Sequence, residues 1–131
     1  GGLAYSGKIM APTPFTPAVR RLRDDLARIH GVYYDCALLN WYPDGESACK
    51  YHSDPEHGTF WGLDSIVVSI GETRRFCFRE VLTPFSSKDE ALRDPHLFHL
   101  RDGDCIWMFA DCQDRFQHAV LKAEGPNNAV C

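Results

Sequence analysis

The spacing of apolar positions changes near residue 31. Between Thr16 and Gly31, Val19, Leu22, Leu26 and Ile29 recur at steps of three and four, the spacing that lines one face of an α-helix. Thr16 offers a capping hydroxyl, Pro17 a first-turn residue with no N–H to lose, and Gly31 a stop. The other face sets Arg20, Arg21, Arg23 and Arg28 against Asp24 and Asp25, which reads as a solvated, salt-bridged surface. From Val32 the pattern turns to short runs rich in β-branched and aromatic residues. Val32 to Tyr42 and Ser47 to His52 flank Pro43-Asp44-Gly45, and Ser65 to Ile70 and Arg74 to Val81 flank Gly71-Glu72-Thr73. Leu97 to Leu100 and Cys105 to Phe109 flank Asp102-Gly103, and Phe116 to Leu121 adds a seventh run. This predicts three hairpin-like pairs and a further strand. The fold class is therefore mainly β with an N-terminal helix, a jelly roll being the leading architecture.

At 131 residues, with 44% hydrophobic and 24% charged content and no repeat or low-complexity tract, the chain reads as one domain over residues 1–131. Fourteen Lys and Arg against eighteen Asp and Glu leave a net charge of −4, so any attraction to nucleic acid must be local. No apolar run approaches the roughly 18 residues of a membrane span, and Gly1 to Met10 lacks the basic start and apolar stretch of a signal peptide. The expectation is an intracellular protein, in cytoplasm or nucleus, without a membrane partner. Cys36, Cys49, Cys77, Cys105, Cys112 and Cys131 form no C-x-x-C pair and lie in apolar stretches, so buried thiols are expected rather than disulfides.

The chemistry begins at Tyr51-His52-Ser53-Asp54. Strand alternation sends positions i and i+2 to one side, so His52 and Asp54 can act as neighbouring nitrogen and carboxylate ligands. A third ligand is available in His118 on the last predicted strand, or locally in His57. His96 and His99, three apart, fall on opposite strand faces and make poor partners. Two His and one carboxylate on one face of an octahedron leave three positions open, as in non-haem Fe(II) oxygenases. The tripeptide H-x-D alone is weak, since a strand-end His and Asp can simply bond each other.

The combination is more specific. Asn40-Trp41-Tyr42-Pro43-Asp44-Gly45, His52-Ser53-Asp54-Pro55-Glu56, Ser65 to Gly71, Arg74 to Arg79, Asp102-Gly103-Asp104 and Gln117-His118 resemble, in order and spacing, the AlkB-like family of Fe(II)/2-oxoglutarate-dependent dioxygenases. The resemblance covers about residues 36–122. It implies a double-stranded β-helix in which His52, Asp54 and His118 hold Fe(II), Asn40 and Tyr42 contact 2-oxoglutarate, and O₂ is the second cosubstrate. It places Glu56 beside the substrate base. The same resemblance puts Arg74, Arg75 and Arg79 near the site mouth as candidates for phosphate or base contact, and offers Trp61 or His57 as a ring that stacks on the base.

One departure stands out. The family carries an R-x-[NS]-x-[TV]-F-R pattern on a strand after the distal His, whose first Arg pairs with the far carboxylate of 2-oxoglutarate. Here the sequence runs out at Gly125 to Cys131, so the chain is either C-terminally truncated, lacking the last strand, or a divergent copy. Arg74, Arg75, Arg79 and Lys122 are the available cations to replace that Arg, and a Lys replaces a bidentate pair poorly. The expected activity is oxidative demethylation of N-alkylated bases in DNA or RNA. The alternatives are an oxygenase acting on a protein or small molecule and a catalytically inactive AlkB-like binding module. The sequence assigns no oligomeric state.

Overall fold

The computed structural model describes residues 3–5, 8–54, 62, 64–91 and 93–124, with 3–5, 8–10 and 91 described by their backbone alone. The chain opens on a short antiparallel hairpin that the hydrophobic pattern did not announce, β1 (Leu3–Tyr5) against β2 (Lys8–Met10). The first helix, α1 (Pro17–His30), has the predicted ends. The Thr16 hydroxyl accepts the Val19 N–H at 3.3 Å, and Gly31 closes the helix with its N–H on the Ala27 carbonyl. Its charged face is paired as expected, Arg23 with Asp24 at 3.0 Å and Arg28 with Asp25 at 3.4 Å. The apolar face is shorter than expected: Val19, Leu22 and Leu26 are half-buried, whereas Ile29 stays 74% exposed. At the helix end His30 meets the Trp107 ring edge-on, with centroids 4.3 Å apart.

The remaining elements are β3 (Cys49–His52), β4 (Ser65–Val68), β5 (Arg74–Glu80), α2 (Lys88–Ala91), β6 (His96–Leu100), β7 (Cys105–Met108), α3 (Cys112–Arg115) and β8 (Phe116–Val120). Six of the seven predicted strands are present, within one or two residues of their expected ends. They form a four-stranded antiparallel sheet in the order β3-β8-β5-β6 and a two-stranded antiparallel sheet of β4 and β7. The chain passes back and forth between the two sheets, the jelly-roll pattern. Among the described residues, Phe76 and Cys77 of β5, Leu100 of β6, Met108 of β7 and Ala119 of β8 are the buried apolar ones.

The pairing differs from the predicted hairpins. Residues 32–42 form no strand and join no ladder of the described strands. Tyr34 anchors this stretch, donating to Asp64 Oδ1 at 2.8 Å, an oxygen that also accepts the Trp107 indole N–H at 3.0 Å. The Pro43-Asp44-Gly45 turn does form, with Asp44 Oδ1 accepting the N–H groups of Glu46 and Ser47, each at 3.0 Å. Yet β3, which follows, pairs with β8 instead of with the segment before the turn.

The other two turns are likewise corners, not hairpins. β4 pairs with β7, while β5 pairs with β6 and β8. The Gly71 and Asp102-Gly103 turns lie side by side: the Gly71 N–H donates to Asp102 Oδ1 at 2.8 Å and the Gly103 N–H to the Ser69 carbonyl at 2.7 Å. Both glycines have φ near +90°, at +92° and +84°, where a side chain would be strained. The thiol expectation holds only for Cys77, which is buried. Cys36 and Cys105 are exposed and Cys49 and Cys112 half-buried, all free, and Cys131 lies outside the described residues. Cys36 sits in the unpaired stretch and Cys105 on a solvent-facing strand position, so the apolar sequence around them does not cover them.

Candidate metal centre

β3 and β8 run antiparallel with His52 directly opposite His118. Opposed residues share a sheet face, so the two imidazoles meet, their centroids 4.3 Å apart. β3 ends at His52, and strand alternation therefore does not deliver Asp54, contrary to the expectation from the H-x-D spacing. Two hydrogen bonds do so instead. The Ser53 hydroxyl donates to the Phe116 carbonyl at 2.9 Å, and the Asp54 N–H donates to Gln113 Oε1 at 2.8 Å, which folds the turn after β3 back onto the start of β8. Asp54 Oδ2 then lies 3.1 Å from His118 Nε2 and Oδ1 lies 3.5 Å from His52 Nε2. One donor atom from each of the three residues lies within 4.8 Å of the others.

The donor chemistry fits a divalent metal. Asp54 Oδ1 is buried and accepts no hydrogen bond in the structure, a cost that a cation between the three side chains would remove. His52 Nδ1 is 2.7 Å from the Lys50 carbonyl, which can only accept, so Nδ1 carries the proton and the Nε2 lone pair is free for a metal once that nitrogen is deprotonated. On the far side His118 is stacked on Phe76, with centroids 5.5 Å apart and planes 9° from parallel. Among the described residues, these three make up the one group of His, Cys, Asp and Glu arranged to hold a metal ion. His57, the local alternative, lies outside the described residues.

The charges of the three groups are coupled. The Asp54 carboxylate, helped by the Cys49 thiol, pushes the His52 imidazole up to about 11 despite its partial burial. Burial alone would raise the Asp54 carboxyl, but His118 and His52 hold it well below the usual carboxylate range. Without metal the pair thus stores a proton on His52. Its stabilising share is complete below the ordinary histidine value of 6.5 and is lost as pH rises through about 11. A metal must displace that proton. Isothermal titration with a divalent metal should show affinity rising about tenfold per pH unit from about pH 6 to about pH 9, with one proton released. An affinity flat in pH would contradict the paired state.

Other expected site residues fall as follows. Asn40 is exposed and Tyr42 half-buried. Because residues 32–42 are not a strand, the alternation that set them on one side does not operate; Tyr42 is placed by Arg74, whose guanidinium carbon lies 5.4 Å from its ring centroid. Arg74 also donates to the carbonyls of Leu121, Asp44 and Ser47. Arg75 is 7% exposed, donates to the Lys122 carbonyl at 2.9 Å and faces Glu124 at 3.6 Å. Arg79 donates to Gln117 Oε1 at 2.9 Å and lies over the Tyr51 ring at 4.1 Å. Lys122 pairs with Glu46 at 3.0 Å. Glu56 and Trp61 lie outside the described residues. Sequence reasoning missed Gln113 and Phe76. Gln113 sits in a one-turn helix with no periodicity to mark it, whereas Phe76 was legible as an apolar position on β5, two residues before Phe78.

Comparison with known proteins gives the geometry its context. The family model described as the 2OG-Fe(II) oxygenase superfamily matches residues 2–129. An uncharacterised protein of Acanthamoeba polyphaga mimivirus is 36% identical over 123 residues, 94% of this chain and 59% of that protein. The DNA oxidative demethylases ALKBH2 of Bos taurus and Homo sapiens are each 35% identical over 80 residues, 60% of this chain and 29% and 31% of their own lengths. The chain thus spans less than two thirds of each of these relatives. Among the described residues no helix is long and apolar enough to cross a membrane. The family's cofactors are Fe(II), 2-oxoglutarate and O₂, and the His-Asp-His set to take the metal is present. With a jelly-roll fold, that ligand set and a family match over nearly its whole length, the chain belongs to the 2OG-Fe(II) oxygenase superfamily and is AlkB-like.

Proposed function

We propose that the protein is an Fe(II)/2-oxoglutarate-dependent dioxygenase that removes alkyl groups oxidatively from N-alkylated bases in DNA or RNA, acting inside the cell, in cytoplasm or nucleus. The observation that carries the reading is the convergence of His52, Asp54 and His118 within 4.8 Å, with a buried Asp54 oxygen awaiting a partner. These three residues would hold the iron. When bound, the iron couples oxidation of 2-oxoglutarate by O₂ to succinate and CO₂ with insertion of one oxygen into a substrate C–H bond. Asn40 and Tyr42, the residues that the family resemblance assigns to 2-oxoglutarate, would offer it an amide and a hydroxyl. An N-methyl group hydroxylated in this way gives a hemiaminal, which releases formaldehyde and leaves the free amine. Reaching that methyl requires the base to leave its stack, with Trp61 to receive its face and Glu56 its polar edge. Arg74 and Arg75 would have to exchange their carbonyl and Glu124 partners to meet a phosphate, so the substrate-facing roles rest chiefly on Glu56 and Trp61.

The test is succinate and formaldehyde release by the full-length protein supplied with N-methylated oligonucleotides, methylated peptides and N-methyl metabolites in parallel. Release tied to the oligonucleotide supports the reading. Turnover with peptide or metabolite alone would overturn the substrate assignment, and metal uptake with no 2-oxoglutarate consumption would make the domain a binding module. Glu56→Ala should leave metal affinity and substrate-free 2-oxoglutarate decay within about twofold while lowering demethylation at least about tenfold, the worth of one lost bond to the base. Equal loss of both rates, followed by paired succinate and formaldehyde assays, would remove Glu56 from the substrate side.

A further inference from the structure

We propose that Gln113 is a positioning residue of the metal centre, fixing the direction in which Asp54 presents its carboxylate; the inference rests on the metal reading above and deepens it. Asp54 lies two residues past the end of β3 at His52, so its N–H has no ladder partner. The acceptor it finds is a side chain 59 residues away, Gln113 Oε1 at 2.8 Å. Gln113 is 6% exposed, so water cannot readily take over this bond. Only the oxygen end of an amide can accept an N–H, which sets the orientation of the side chain. Its Nε2 is then left facing Met108 Sδ at 3.4 Å, and Met108 is itself fully buried on β7. The amide is thereby held between the turn after β3 and the small sheet.

The connection has a consequence for the site because of where Gln113 lies in the chain. α3 leads directly into β8, and His118 follows five residues after Gln113. The segment that carries one metal ligand therefore orients the backbone of another. Holding the Asp54 N–H fixes the peptide plane between Ser53 and Asp54, which restricts ψ of Ser53 and φ of Asp54 and with them the direction in which the Asp54 side chain leaves Cα toward the two imidazoles. The Ser53 hydroxyl on the Phe116 carbonyl secures the preceding residue but touches nothing on Asp54 itself. Outer partners of this kind are worth about 10–100-fold in metal affinity.

The experiment uses Co(II) alone, as a spectroscopic replacement for Fe(II), titrated into the full chain. Gln113→Met keeps the volume and removes the acceptor; Gln113→Glu keeps an acceptor in the same place. The expected result is cobalt binding about 10–100-fold weaker in Gln113→Met with altered visible absorption bands, and recovery of both affinity and bands to within about threefold of wild type in Gln113→Glu. Should Gln113→Met fail to fold by circular dichroism, Gln113→Asn, one methylene too short to reach, carries the same expectation. Wild-type affinity and bands in the acceptor-free variant, or a loss that Gln113→Glu does not reverse, would overturn the proposal while leaving the metal reading standing. A wild-type chain that takes up no cobalt would overturn both.

Discussion

His52→Ala is expected to lower Fe(II) affinity by more than about 100-fold and to bring 2-oxoglutarate consumption to background, while the protein stays folded. The loss follows from ligand count: Asp54 and His118 alone give a labile ferrous ion two donors, and removal of the imidazole also leaves Asp54 Oδ1 facing empty space where His52 Nε2 stood 3.5 Å away. The fold survives because β3 is an edge strand of its sheet, paired to β8 alone, so the substitution disturbs one ladder only. Anaerobic titration of iron, read beside circular dichroism and succinate release, checks the three parts separately. A variant that keeps wild-type iron affinity would remove His52 from the ligand set.

Phe76→Ala is expected to have the largest effect on stability. Phe76 is 3% exposed on β5, an inner strand of the four-stranded sheet, and its ring contacts both Phe78 at 5.3 Å and the flat face of His118 at 5.5 Å. Deleting a buried phenyl ring costs about 3–5 kcal/mol, a large part of the roughly 5–15 kcal/mol that holds a domain of this size folded. Calorimetry should show Tm lower by about 10–20 °C. The same cavity releases one face of the His118 ring, so metal affinity should fall as well, and Phe76→Leu should restore much of both. A Tm shift below about 3 °C would mean that neighbouring side chains collapse into the space, and that Phe76 does not support His118.

What was legible in the sequence is what local chemistry determines. Thr16, Pro17 and Gly31 mark the limits of α1 through hydrogen bonds that reach no farther than four residues. The strand positions follow from runs such as Arg74–Glu80, and the H-x-D and distal His pattern named the three side chains that converge. Partner choice was not legible. Gly71 and Gly103 announce a change of direction, and nothing near them in sequence states whether the next strand pairs with the last one or crosses to the other sheet. Residues 32–42 carry strand-like side chains but join no ladder, because side-chain preference alone does not choose a pairing partner. The position of Asp54 shows the same division. Its spacing from His52 suggested alternation, whereas the structure reaches the same juxtaposition through Ser53 and Gln113, two contacts spanning 63 and 59 residues.

His52, Asp54 and His118 together should hold one ferrous ion. Diffraction from crystals of the full-length protein soaked anaerobically in Fe(II), recorded on both sides of the iron absorption edge, tests it most directly. A single anomalous peak should appear, bounded by the Nε2 atoms of His52 and His118 and a carboxylate oxygen of Asp54. A peak that engages other residues, or iron-replete crystals in which the two imidazoles still face only the Asp54 carboxylate, would contradict it.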